Sequence, residues 1–255
     1  MPIPPQLVSF PGPDNTTLHG YISVPPGAGK YPALLWNHGS EKLPGKQEIL
    51  AEFYTGHDYV FFIPHRHGQG KSSSAGDYIM DLEDLMRDIS MGALCTDEFD
   101  VRIQGWYNRD VLAALVWLKQ QSSVDQNRIY VSGVSFGGIQ TVLTAEQDPG
   151  VRAYVPFAPG AMSWGNEQLR HRLLQALHNA KAPVFLIQAH GDYSIGPYEL
   201  LGRYLREKGG LNMAHLYPKF GTTHEEAHAG FATQSAGIAI WGADVLVWLD
   251  KVSAS

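Results

Sequence analysis

Six short apolar runs of central-strand length punctuate the chain, at residues 33–36, 60–63, 129–131, 153–155, 184–187 and, more weakly, 213–217. Between them, residues 49–54, 107–121, 139–147, 167–180, 197–208 and 238–252 space their apolar positions as helices do, with Val111, Ala114, Leu115 and Leu118 marking one buried stripe. Strands that alternate with helices predict an α/β domain built on a mainly parallel sheet with helices on both faces. Residues 7–10 and 18–24 flank the turn-rich Pro11-Gly12-Pro13-Asp14-Asn15 and predict an N-terminal antiparallel hairpin. Residues 76–104 break the alternation. There Ile79, Leu82, Leu85, Met86 and Ile89 recur against Asp81, Glu83, Asp84 and Asp88, predicting an inserted amphipathic helix with an acidic solvated face, placed to wall a pocket. One domain over residues 1–255, with this insertion, accounts for the pattern.

Composition narrows the class. Hydrophobic residues at 44% and charged residues at 17% suit a globular protein. A net charge of -6, with His65-Arg66-His67 as the densest basic run, argues against nucleic acid or an anionic membrane as partner and for a small, neutral or modestly polar molecule. Oligomeric state is not legible. The start Met-Pro-Ile-Pro-Pro lacks the basic and apolar regions of an export signal, and no window approaches eighteen uninterrupted apolar residues, so a soluble chain is expected. The single cysteine, Cys95, cannot form an internal disulfide and reads as buried filler, in keeping with a cytoplasmic location.

The chemistry centres on Gly133-Val134-Ser135-Phe136-Gly137, a G-x-S-x-G string that follows a strand and opens a helix. In that setting a sharp turn strains the serine backbone, exposes its Oγ and leaves room only for small neighbours, so Ser135 is the candidate nucleophile. An oxyanion hole needs two backbone N–H groups. Phe136 supplies one, and Asn37-His38-Gly39-Ser40 places the second at Ser40, with Glu41 as neighbour and His38 bracing the loop. The run at 184–188 leads into Ala189-His190-Gly191-Asp192, making Asp192 the candidate acid that holds an imidazole in the right tautomer. After 213–217, His224 and His228 compete as base; the small turn Ala229-Gly230-Phe231 favours His228. The chain order Ser, Asp, His results.

His38-Gly39-Ser40, Pro64-His65-Arg66-His67-Gly68-Gln69-Gly70, Ser132-Gly133-Val134-Ser135-Phe136-Gly137-Gly138, His190-Gly191-Asp192 and His228-Ala229-Gly230-Phe231 together resemble the dienelactone hydrolase family and its prolyl-oligopeptidase-type relatives over nearly the whole chain. The resemblance implies the α/β-hydrolase fold, a hydrolase needing neither metal nor cofactor, and the Ser135, Asp192, His228 triad at the matching positions. Founding members carry cysteine at the elbow; Ser135 here points to a general carboxylesterase role on small esters through an acyl-enzyme, with a peptidase or thioesterase of the same fold as the nearby alternative.

A different chemistry competes in His224-Glu225-Glu226-Ala227-His228, which fits the H-E-x-x-H zinc string. No His or Glu follows His228 as a third ligand, and only Asp244 or Asp250 remains. Gly70-Lys71-Ser72 resembles the end of a phosphate loop without its first glycine, and His65 and His67 read as loop braces rather than metal ligands. Residues 157–181 hold too little chain for a large cap. Phe136, Trp164 and Tyr193, with Trp106 or Tyr107 behind them, predict a compact apolar pocket suited to short acyl groups.

Overall fold

Each apolar run is a strand of one sheet. The computed structural model describes residues 4–88 and 93–255. β1 (Gln6–Pro11) and β2 (Thr17–Ser23) form the antiparallel hairpin, with Asp14 and Asn15 at positive φ in the turn. β2 lies antiparallel on β4 (Val60–His65). β3 (Tyr31–Asn37), β5 (Val124–Val134), β6 (Ala153–Phe157), β7 (Phe185–Ala189) and β8 (Met213–Tyr217) run parallel with β4, in the order β1-β2-β4-β3-β5-β6-β7-β8.

The strands read as unbroken apolar runs because both faces of the sheet are covered. Successive side chains point to opposite faces. Leu35, Phe62 and Val131 pack on one side with α3 (Ala93–Lys119), α4 (Phe136–Gln147) and α5 (Glu167–Asn179), and the predicted stripe Val111, Ala114, Leu115, Leu118 is buried there. Leu34, Trp36 and Phe61 pack on the other side with α1 (Glu48–Thr55) and α8 (Ser235–Ser253), through Tyr54 and Trp241. The remaining helices are α2 (Ile79–Asp88), α6 (Arg203–Lys208) after a π-helical turn Tyr198–Gly202, and the single turn α7 (Phe231–Thr233). Among the described residues no helix is long and apolar enough to cross a membrane.

Residues 76–104 depart from expectation. They hold α2 and the beginning of α3 rather than one inserted helix, because α3 runs on through Gly105 to Lys119. A methyl group at Gly105 would meet nothing within 4 Å, so nothing forces a turn there. The faces of α2 also differ from the sequence stripe: Ile79 is buried, Leu85 is 55% exposed, and Glu83, expected in solvent, is only 9% exposed. Ile79 and Glu83 are one helical turn apart, and that edge, rather than the 79/82/85 line, faces inward. Ile89 and the side chains of Met86 and Cys95 lie outside the described part of the chain.

Candidate active site

β5 delivers Ser135 directly into the first residue of α4. Its backbone has φ 59° and ψ −119°, a region that residues with a Cβ rarely occupy. The turn is held from both sides: Ser135 N–H donates to Phe157 O (3.1 Å), and Ile139 N–H donates to Ser135 O (3.0 Å). A methyl group at Gly133 or Gly137 would collide with the Asn37 carbonyl, and one at Gly138 would come within 2.6 Å of Phe157 O. The small flanking residues therefore follow from the closeness of β3 and β6 to the elbow.

The loop after β3 brings Gly39 against Ser135, since a Cβ on Gly39 would lie 3.7 Å from that of Ser135. Ser40, Ser135 and Phe136 line one cavity of about 180 Å³, so the two residues expected to supply oxyanion-hole donors border the same cavity as the serine. Beneath them lies Arg66, buried in full. Its Nη2 donates to His38 O (2.8 Å) and Gly39 O (2.6 Å), its Nε donates to Gln69 Oε1 (3.2 Å), and its guanidinium carbon stands 4.5 Å from the Phe136 ring centre. Two hydrogens on Nη2 serve the two carbonyls, so its 2.9 Å approach to His38 Nδ1 is a contact and not a third donation. His38 Nδ1–H then donates to Gly39 O (2.9 Å), and Nε2 faces the Arg66 N–H (3.4 Å). Burial, reinforced by the Arg66 charge, holds His38 well below the usual imidazole range. Burial also draws Arg66 down to about 10, which leaves it charged at neutral pH.

His65 and His67 hold the neighbouring loop through different partners. His65 Nε2–H donates to Gly45 O (2.8 Å), Nδ1 accepts from Lys71 N–H (2.9 Å), and burial lowers its pKa to about 4. Asp110 accepts from His67 N–H (2.8 Å) and lies 2.6 Å from His67 Nδ1.

Asp192 follows β7 and is buried. Its Oδ1 accepts from Tyr193 N–H (2.6 Å), and its Oδ2 accepts from Gln188 Nε2 (2.8 Å). Gln188 is fixed in turn, donating to Ser194 O (2.7 Å) and accepting from Tyr198 N–H (3.1 Å). The sequence reading missed Gln188, although one amide closing an apolar strand is a visible signal. His228 occupies a π-helical turn, Glu226–Gly230, with Nδ1 2.8 Å from Asp192 Oδ1. The contact is close but not aligned as a hydrogen bond, and the buried Nε2 has no partner, Ser135 included. Catalytic hydrogen bonds are often loose before substrate binds. His224 is exposed, and its Nδ1 donates to Gly191 O (2.7 Å), so of the two histidines it is His228 that meets the carboxylate. Glu226 of the H-E-x-x-H string instead accepts from the Thr222 and Thr223 amides, which lower its pKa. Among the described residues no three His, Cys, Asp or Glu side chains are grouped to hold a metal ion.

The cavity walls differ from those expected. Ile79 and Met80 of α2, Ile139 of α4 and Met162 provide apolar surface, while Glu83 and Gln104 provide polar surface. Of the predicted aromatics Phe136 lines it, and Trp164, Tyr193, Trp106 and Tyr107 do not. Tyr107 is buried behind Phe136, 6.0 Å between ring centres, and Trp106, 43% exposed, borders a separate hollow beside His67. Trp164 packs on Gly196, and Tyr193 stands edge-on to His228 at 5.4 Å. About 100° separates successive helical residues, so α3 cannot turn both Gln104 and Trp106 toward one cavity.

A strained serine elbow after the fifth strand of this eight-stranded sheet, with an acid and a histidine on the loops after β7 and β8, defines an α/β-hydrolase-type enzyme. The sequence pattern of the dienelactone hydrolase family matches residues 55–249, and the chain belongs to that family of hydrolases. It is 26% identical over 203 residues to the polyketide transferase GrgF of a Penicillium species, a match covering 76% of this chain and only 60% of that protein. Similar solved structures include a dienelactone-hydrolase-type protein from Klebsiella pneumoniae (TM-score 0.69, 16% identity, 97% of this chain and 99% of that one). Another is the Pyrococcus horikoshii acylaminoacyl peptidase (TM-score 0.66, 18% identity, 89% of this chain and 38% of that one). At such identities the structures share the fold.

Proposed function

We propose that this chain is a serine carboxylesterase for small esters with short acyl groups. The observation that carries the reading is the strained Ser135 elbow, joined at the same end of the sheet by the buried Asp192–His228 pair. In this mechanism Ser135 Oγ attacks the ester carbonyl while His228 Nε2 takes its proton, and Asp192 steadies the imidazolium through Nδ1–H. The tetrahedral oxyanion receives the Ser40 and Phe136 N–H groups. Collapse releases the alcohol with the proton from His228; water, activated by the same imidazole, then hydrolyses the acyl-enzyme.

A cavity of about 180 Å³ is below the range of drug-sized pockets, roughly 300–1,000 Å³, which favours short chains. On p-nitrophenyl esters kcat/KM is expected to peak at about two to six acyl carbons and to fall sharply by about twelve, since each misfitted methylene costs roughly 1–3 kcal/mol. A fluorophosphonate is expected to label Ser135 on peptide mapping, with EDTA leaving activity intact. Activity lost with EDTA and restored by zinc would sink the triad.

A further inference from the structure

The loop after β3 has a second hold besides Arg66, and it comes from the wall of the cavity. The hydroxyl of Tyr78, the residue just before α2, donates to the Ser40 carbonyl. Arg66 grips the carbonyl one residue earlier, on Gly39. Ser40 thus lies between two rigid peptide planes, each held by its oxygen, and little backbone rotation is left to it. Its N–H, the donor assigned to the oxyanion, keeps its direction while both holds last.

Tyr78 also sits where it meets the effect of whatever fills the cavity. The next two residues, Ile79 and Met80, line that cavity with Ser40 and Ser135, and Ile79 is buried. From behind, the Tyr107 hydroxyl donates to Asp77 O (2.5 Å) and so fixes the peptide plane that enters Tyr78. Lys42 Nζ stands 5.0 Å from the Tyr78 ring centre and 3.5 Å from Asp81 Oδ2, an exposed tie between loop and helix that contributes little alone. Burial, helped by the Asp81 and Glu41 charges, raises the Tyr78 phenol above its usual range, so the hydroxyl remains a donor at neutral pH.

We propose that Tyr78 is a positioning residue that ties the Ser40 amide to the wall of the acyl cavity, so that the fit of the acyl chain is expressed in kcat and not in KM alone. This rests on the serine esterase reading and adds how that site measures chain length. A chain that fits leaves Ile79 and Met80 in place and the Ser40 N–H in its held direction. A longer chain displaces the wall, Tyr78 carries the displacement to the Ser40 carbonyl, and the oxyanion loses alignment in the transition state, where such donors act.

p-Nitrophenyl butanoate and octanoate, assayed with the wild type and Tyr78→Phe, decide the matter. Phenylalanine keeps the ring and removes only the hydroxyl. The wild type is expected to lose at least about tenfold in kcat from butanoate to octanoate. In Tyr78→Phe, kcat on butanoate is expected to fall about tenfold with KM within about twofold, and the two chain lengths to converge in kcat. Propyl trifluoromethyl ketone supplies a readout that a merely structural role would not move. Ser135 Oγ bonds to its carbonyl carbon, the hydroxyl proton passes to His228, and the carbonyl oxygen becomes an oxyanion in the hole. Its inhibition constant is expected to rise in Tyr78→Phe by the same factor as kcat falls. An unchanged kcat on butanoate, a loss confined to KM, or an equal loss on both chains overturns the proposal. A wild-type kcat indifferent to chain length overturns it too, whatever the variant does. Any of those results with a fluorophosphonate-labelled Ser135 defeats this inference alone; no label and no turnover of any ester defeats the esterase reading beneath it.

Discussion

Ser135 illustrates how the proposed chemistry sets one residue against stability. A non-glycine residue at φ 59°, ψ −119° holds strain of roughly 1–3 kcal/mol, which glycine would relieve at a smaller entropic cost. Ser135→Gly is therefore expected to abolish turnover while raising the melting temperature by about 2–4 °C, the equivalent of roughly 1 kcal/mol in a domain of this size. Calorimetry beside the ester assay checks both halves, and a lower melting temperature would mean that the serine hydroxyl stabilises the elbow. The elbow was legible in the sequence because the G-x-S-x-G glycines are dictated by local crowding against Asn37 and Phe157. Gln188 carried only the signal of an amide in an apolar strand; that it holds the Asp192 carboxylate shows only once the turn between them is closed.

At the scale of elements, the loops after β3 and β4 act as one body, and Arg66 is the rivet. The Gly39 carbonyl it grips belongs to the same peptide plane as the Ser40 N–H, so fixing the oxygen also fixes the direction of the N–H proposed as an oxyanion donor. Among the described residues no carboxylate pairs with the guanidinium, whose partners are carbonyls, Gln69 and the Phe136 ring. Arg66→Met is expected to lower kcat by roughly ten- to a hundredfold with KM little changed, a smaller loss than deleting an oxyanion donor outright. Equal losses in KM would assign Arg66 to substrate binding instead. The strands and the helices over the core were readable from periodicity, since burial on two faces leaves continuous apolar runs. The pocket walls were not: α2 presents Glu83 inward and α3 presents Gln104 rather than Trp106, choices made by how helices dock and not by their own amphipathic pattern.

Across the whole molecule, buried imidazoles couple stability to pH. His65 is drawn down to about 4 and His38 well below its usual range, both chiefly by burial, whereas in the unfolded chain each takes a proton near 6.5. Between those values the unfolded state binds more protons, so folding stability is full above about pH 6.5 and drains as pH falls toward 4, by up to about 1.4 kcal/mol per unit for each group. Urea melts at pH 7, 5.5 and 4.5 are expected to show that decline, and a flat profile would mean that other groups offset it. The strand order carries a kinetic consequence. Ser135 comes from the middle of the sheet, whereas His228 hangs from the loop after β8, an edge strand beside β7 and the last of the described strands in chain order. Contacts so far apart in the chain form late, after local helices have collapsed. On dilution from denaturant, helical ellipticity is thus expected to return well before esterase activity, and docking of that final strand to set the moment at which the refolding chain becomes an enzyme.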